Sequence, residues 1–112
     1  MENPGTAYVN DPDLGTDPQP ATMANIYTGP RDRKGVHINS GIPNRAFVLT
    51  AKALGGKAWE VAGRIWFDTL LQLNTNSQFI DCAKLTLQVA NNHGAAAKKA
   101  VKAAWKKVGI TV

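Results

Sequence analysis

At Ser40 the spacing of apolar residues changes, and no other feature of this sequence restricts the possible folds as much. Ahead of it, "NPG", "NDPDLGTDPQP" and "TGP" place prolines and glycines too densely for any long helix or strand. Beyond it, apolar side chains recur every three or four residues as far as Val108. A chain patterned this way has no material for a sheet and must bury its helical part. The expectation is therefore all-α. An irregular, extended Pro/Gly-rich N-terminal arm over residues 1–35 precedes a four- to five-helix bundle over residues 36–112, and 1–112 together make one domain.

Within the bundle, Ser40 or Asn39 can cap the first helix and Pro43 suits its first turn. Ile42, Ala46, Leu49 and Ala53 share one face until Gly55 and Gly56 end the helix. A second helix, over roughly residues 57–73, carries the stripe Trp59, Ala62, Trp66, Leu70 and Leu73, widened by Val61, Ile65 and Phe67. So broad a stripe predicts a helix surrounded by protein at the centre of the bundle. Thr75 and Gln78 stand at capping-box spacing before a third helix, whose stripe is Ile80, Ala83, Leu87 and Ala90. His93, in its closing "NNHG", suits a helix C-terminus and has no catalytic part. The last helix, roughly residues 95–107, buries Val101, Ala104, Trp105 and Val108 and turns its lysines outward. Short links predict antiparallel or orthogonal neighbours.

Composition narrows the function classes. No apolar run is long enough to span a bilayer, so no membrane partner is expected. Met1 is followed by Glu-Asn-Pro rather than by a basic and then apolar stretch, so no signal peptide is expected at this start. Cys82, the single cysteine, excludes an internal disulfide. Beside the third helix's apolar stripe it reads as a small core hydrophobe, not a nucleophile. The net charge of +5 gathers in "KKAVKAAWKKVG". A solvated helix face is the ordinary use of such lysines. The alternative is a basic helical module binding nucleic acid or an acidic partner through Lys98, Lys99, Lys102, Lys106 and Lys107.

Few residues can carry chemistry. Two histidines and one cysteine do not supply a zinc site, and H-E-x-x-H, a phosphate loop and G-x-S-x-G are all missing. "DPDLGTD" lacks the terminal glutamate of a calcium loop. That leaves Asp32 and His37 in "DRKGVH". If Gly35 lets this segment turn back, the carboxylate reaches one imidazole nitrogen, sets the tautomer and favours the charged ring. The other nitrogen is then free to donate to a developing oxyanion. In the competing reading, Asp32 caps a turn and His37 packs at the helix start. Either way the chain holds part of an active site at most.

"GVHINSGIPNRAF" resembles the histidine segment of the thermolysin-like zinc metallopeptidases, the neutral proteases. "YTG", Tyr27 to Gly29, precedes it at the family's distance. "AGRIWFDTLLQL" and "NSQFIDCAKLTLQVA" resemble the family's next two helices, and "VKAAWKKVGI" its last. "MENP" resembles the segment just after the family's substrate-binding arginine. The resemblance covers nearly the whole chain in order. It implies the C-terminal helical domain of a secreted, two-domain zinc metalloendopeptidase. His37 takes the place of the catalytic histidine that stabilises the tetrahedral intermediate, and Asp32 that of the aspartate orienting it.

The resemblance implies further that zinc is held by H-E-x-x-H and a downstream glutamate in the N-terminal zinc-binding domain of the same polypeptide. There it supplies the activation of water for peptide-bond hydrolysis. Calcium, where the family binds it, also falls outside this chain. Peptide or protein substrate would lie in the interdomain cleft, and the chain alone would be inactive. Two departures stand out. Arg33 and Lys34 replace a commonly small, neutral Asn-Gly pair, which implies either a preference for acidic peptides or electrostatic opposition to charge on His37. "TDPQPATMAN" is irregular against the family and is expected to be a surface loop.

Overall fold

The computed structural model describes all 112 residues. A single 3-10 turn, η1 (Met23–Asn25), interrupts the arm. After it come one turn of reversed hand, α1 (Arg31–Gly35), and four right-handed helices: α2 (Gly41–Leu54), α3 (Val61–Leu70), α4 (Phe79–Asn91) and α5 (Ala95–Lys107). There is no strand, only an isolated bridge between Asp11 and Gly15. The fold is all-α, as the change of spacing at Ser40 implies, and no helix is long and apolar enough to cross a membrane.

The core forms where α5 meets α2 and α4, with α3 completing the layer against α2 and α4. Ala97, Ala100 and Ala104 bring α5 close to its neighbours, and Val101, Trp105 and Val108 fill the space between. The Trp105 ring stacks on Trp66 at 6.3 Å between centroids, and Phe47 meets Trp66 edge-on at 5.4 Å. Its Nε1–H donates to Thr86 Oγ1 at 2.7 Å, so the largest buried side chain has no orphan polar atom. All five lysines of α5 face outward.

The helix expected to be central is instead peripheral and shorter. Only Ala62, Ile65 and Thr69 of α3 are buried, while Phe67 is 55% and Leu70 is 64% exposed. Trp59 lies outside the helix, 74% exposed, with Lys57 Nζ over its ring at 5.4 Å. A wide apolar stripe records how much surface a helix can bury. It does not record whether neighbours within this chain cover it. The capping box is also displaced. Gln78, not Thr75, is the N-cap of α4, and its N–H donates to the Asp81 carboxylate at 2.9 Å. Along α4, Ile80 is 38% exposed, and Thr86 and Val89 join Ala83 and Ala90 among the buried residues.

Cys82 is partly buried beside the core, and burial pushes its thiol up to about 11. At pH 8 iodoacetamide should therefore label the native chain roughly a hundredfold more slowly than the unfolded one. Equal rates would show the thiol to be exposed.

The arm is bound down over most of its length. Pro4 and Pro20 are buried, Met23 N–H donates to the Val108 carbonyl, and Arg45 Nη1 donates to the Ala21 carbonyl. Glu2 pairs with Lys52 on α2. The Asp11 carboxylate accepts the N–H groups of Asp13 and Leu14, an Asx turn that accounts for "DPDLGTD" locally. The Asp17 carboxylate gathers the N–H groups of Gly5, Ala7 and Gln19.

Candidate active site

The link between η1 and α2 folds around a pair of backbone bonds that sequence reading assigned elsewhere. Asn39, 6% exposed, accepts the Tyr27 N–H and donates to the Tyr27 carbonyl, both at 2.9 Å. This two-point clasp closes the loop "YTGPRDRKGVHIN" on itself. Gly35 makes the closure sterically possible. Its φ is +84°, and a Cβ there would meet Asn39 Nδ2 at 2.7 Å and Tyr27 Cδ1 at 2.8 Å. The Tyr27 hydroxyl accepts from the Arg31 backbone N–H and side chain, and the guanidinium beside it lowers the phenol's pKa.

Inside the clasp the backbone runs left-handed through Asp32 (φ 54°), Arg33 (φ 48°), Lys34 (φ 67°) and Gly35. For each L residue this costs roughly 1–2 kcal/mol. Asp32 has compensation. Its Oδ2 accepts the N–H of His37 at 2.7 Å and of Ile38 at 2.8 Å, and its Oδ1 lies 2.6 Å from His37 Nδ1. Arg33 and Lys34 make no side-chain bond at all.

The turn thus brings Asp32 and His37 together, keeping the turn cap of one local reading and the acid–imidazole contact of the other. Asp32 does cap a turn, and the same carboxylate holds the imidazole. The His37 side chain is 89% exposed, against 20% for that of Asp32. The imidazole does not pack at the helix start. The hydrogen bond from His37, followed by the backbone N–H groups, holds the Asp32 carboxyl below the usual aspartate range. An ionised Asp32 can only accept, so Nδ1 carries the proton it donates, and Nε2 is left for other partners.

The depressed carboxyl makes the loop pH-dependent in a defined direction. Because the folded-state pKa lies below the unfolded one, the stability it contributes is present above the ordinary value of 3.8. That contribution disappears as pH falls through the lower folded value. Protection of the His37 and Ile38 amides, their exchange relative to the intrinsic rate at each pH, should fall in that acid window, together with protonation of Asp32 followed by carboxyl NMR. Protection unchanged as Asp32 protonates would contradict the clamp.

A second set of bonds holds His37 from the other side. Its carbonyl accepts from Ser40 Oγ at 2.6 Å and from Gln19 Nε2 at 3.1 Å, and Gln19 also donates to Ser40 Oγ. Ser40 is the N-cap residue of α2 by position, but neither expected side chain caps the helix: Ser40 is spent on His37 and Asn39 on Tyr27. "TDPQPATMAN" is accordingly no mere surface loop, since its Gln19 reaches the histidine and its Pro20 is buried against Gly41. Gln19 and its anchor Asp17 went unrecognised because their partner lies 18 residues away in sequence, for Gln19, and no local pattern encodes that distance. A groove of about 310 Å³ runs past His37 between Ala7, Tyr8, Pro18 and Gln19. No group of three or more His, Cys, Asp or Glu side chains lies together, so the donor set in this chain does not fit a metal ion.

Comparison with known proteins agrees with this fold. The family described as thermolysin metallopeptidase, alpha-helical domain, matches residues 1–110. An extracellular metalloprotease of Pectobacterium carotovorum subsp. carotovorum is 50% identical over all of this chain and 33% of its own length. Protease PrtS of a Photorhabdus species (strain Az29) is 48% identical over all of this chain and 31% of its own. The chain therefore spans about a third of the length of these relatives. Among solved structures, the precursor of protealysin, a metalloproteinase from Serratia proteamaculans, superposes with a TM-score of 0.89 at 46% identity. That match covers 98% of this chain and 35% of the other. With the match running almost end to end and the fold in agreement, the chain belongs to the thermolysin metallopeptidase family, as its alpha-helical domain.

Proposed function

We propose that this chain is a single domain, the C-terminal half of a secreted zinc metalloendopeptidase, and that His37 is its catalytic contribution to peptide-bond hydrolysis. The observation that carries the reading is an imidazole 89% exposed at its side chain yet fixed through Nδ1 to a carboxylate at 2.6 Å. A merely structural histidine would be packed, and a merely solvated one would not be tied down on both sides. With Asp32 holding Nδ1–H, the ring turns Nε2 outward, where in its doubly protonated form Nε2–H donates to the scissile carbonyl oxygen as negative charge develops there. Such a donor needs no reorganisation at the moment of reaction. Asp32 is the positioning residue.

Zinc does not fit this chain's side chains and would be held, with the general base, by the N-terminal domain of the same polypeptide. Any calcium would likewise lie outside this chain. Secretion rests on relatives named as extracellular proteases. Substrate would lie between the two halves, across the groove beside His37. The chain alone should leave a peptide substrate uncut, and the full-length protein should cut it. Hydrolysis by the isolated chain would overturn the division of labour.

A further inference from the structure

The groove beside His37 is one of two depressions that border the left-handed turn. The other, a hollow of about 690 Å³, begins one residue upstream, at Val36. Its walls include Met23, Ile26, Phe79 and Ile110, and its only charged group is Lys34, with no Asp or Glu on its lining. The neighbouring cation Arg33 is also exposed and unpaired, and the turn's one acid, Asp32, is engaged by His37 and two backbone N–H groups. Lys34 thus stands at a depression of mixed polar and apolar lining, with Arg33 beside it in the turn, both within four residues of the imidazole and with nothing in the chain to neutralise them. The apolar part of the wall, Met23, Ile26, Phe79 and Ile110, screens a charge pair formed against it less than open water does. Both cations are also held left-handed, where glycine or asparagine would sit with less strain, and no internal contact compensates for their presence.

We propose that this hollow is a subsite for an acidic side chain of the peptide substrate, in which Lys34 pairs with the carboxylate while Arg33 adds to the local positive field. The aliphatic stem of a glutamate would lie against Val36 and Phe79. The proposal rests on the protease reading above and adds its substrate class: peptides with an acidic residue next to the scissile bond.

The test uses the full-length enzyme and internally quenched peptides that differ only by Glu or Gln, scanned over the positions flanking the cleaved bond. At low salt, kcat/KM for Glu should exceed that for Gln at one position by about tenfold, the value of one charge-assisted contact. The ratio should shrink as salt is raised. Arg33→Asn with Lys34→Gly should bring it to about one, with the Tm unchanged or higher, since both replacements suit the left-handed backbone. Lys34→Glu should invert it and make Lys the preferred residue at that position. A wild-type ratio near one at every position overturns the subsite and leaves the protease reading intact. That includes the case in which a carboxylate elsewhere in the full protein already holds Lys34. A ratio that survives both variants also overturns it. Failure to cut either peptide overturns the protease reading and the subsite with it.

Discussion

His37→Ala in the full-length protein is expected to lower kcat by roughly a hundredfold to a thousandfold, the usual effect of removing one donor from an oxyanion site. KM should change much less, because the imidazole's bond to oxygen strengthens only as charge develops. Asp32→Ala should give the same pattern with a smaller loss, since the donor remains but is no longer aimed. It should also loosen the turn, because one carboxylate accepts the His37 and Ile38 N–H groups as well as Nδ1–H. Steady-state kinetics on a neutral peptide separate the possibilities. Equal losses in kcat and in affinity at His37 would assign it to ground-state binding. A loss confined to Asp32 would make the turn, and not the imidazole, the important element.

The largest expected change in stability is at Trp105. Trp105→Ala removes a side chain with no exposed surface, its stack on Trp66, and the donor to Thr86. Large-to-small changes of this kind cost about 3–5 kcal/mol. That is a large share of the roughly 5–15 kcal/mol that stabilises an ordinary domain. Urea denaturation followed by far-UV circular dichroism should show a much lower midpoint or a chain already unfolded. Trp105→Phe keeps much of the ring stacking and loses chiefly the hydrogen bond, so its effect should be nearer 1 kcal/mol. A loss below about 1 kcal/mol for Trp105→Ala would mean that α5 is not the centre of the core.

α5 was the most legible element: Val101, Ala104, Trp105 and Val108 are all buried, and the lysines between them are all exposed. Its stripe is narrow, so only one packing arrangement satisfies it. The broad stripe of α3 misled for the opposite reason. Several faces could be buried, and the chain buries the one bearing Ala62, Ile65 and Thr69. Polar residues were harder still. The side chains of Asn39 and Ser40 are each chemically able to cap α2, yet neither does so, because both find partners within the loop.

Spacing and residue type were enough to establish an irregular arm, the helices, the stop at Gly55-Gly56 and the candidacy of Asp32 and His37. Those features depend on local dihedral preference and on which side chains share a helix face, both of which are written into neighbouring residues. Whether the imidazole would be fixed and outward could not be read locally. It depends on Asn39 closing on Tyr27 and on Gln19 reaching the His37 carbonyl, contacts spanning 12 and 18 residues. Such contacts require a closed loop, with Pro4 and Pro20 buried, so their geometry comes from packing and not from any pattern along the backbone.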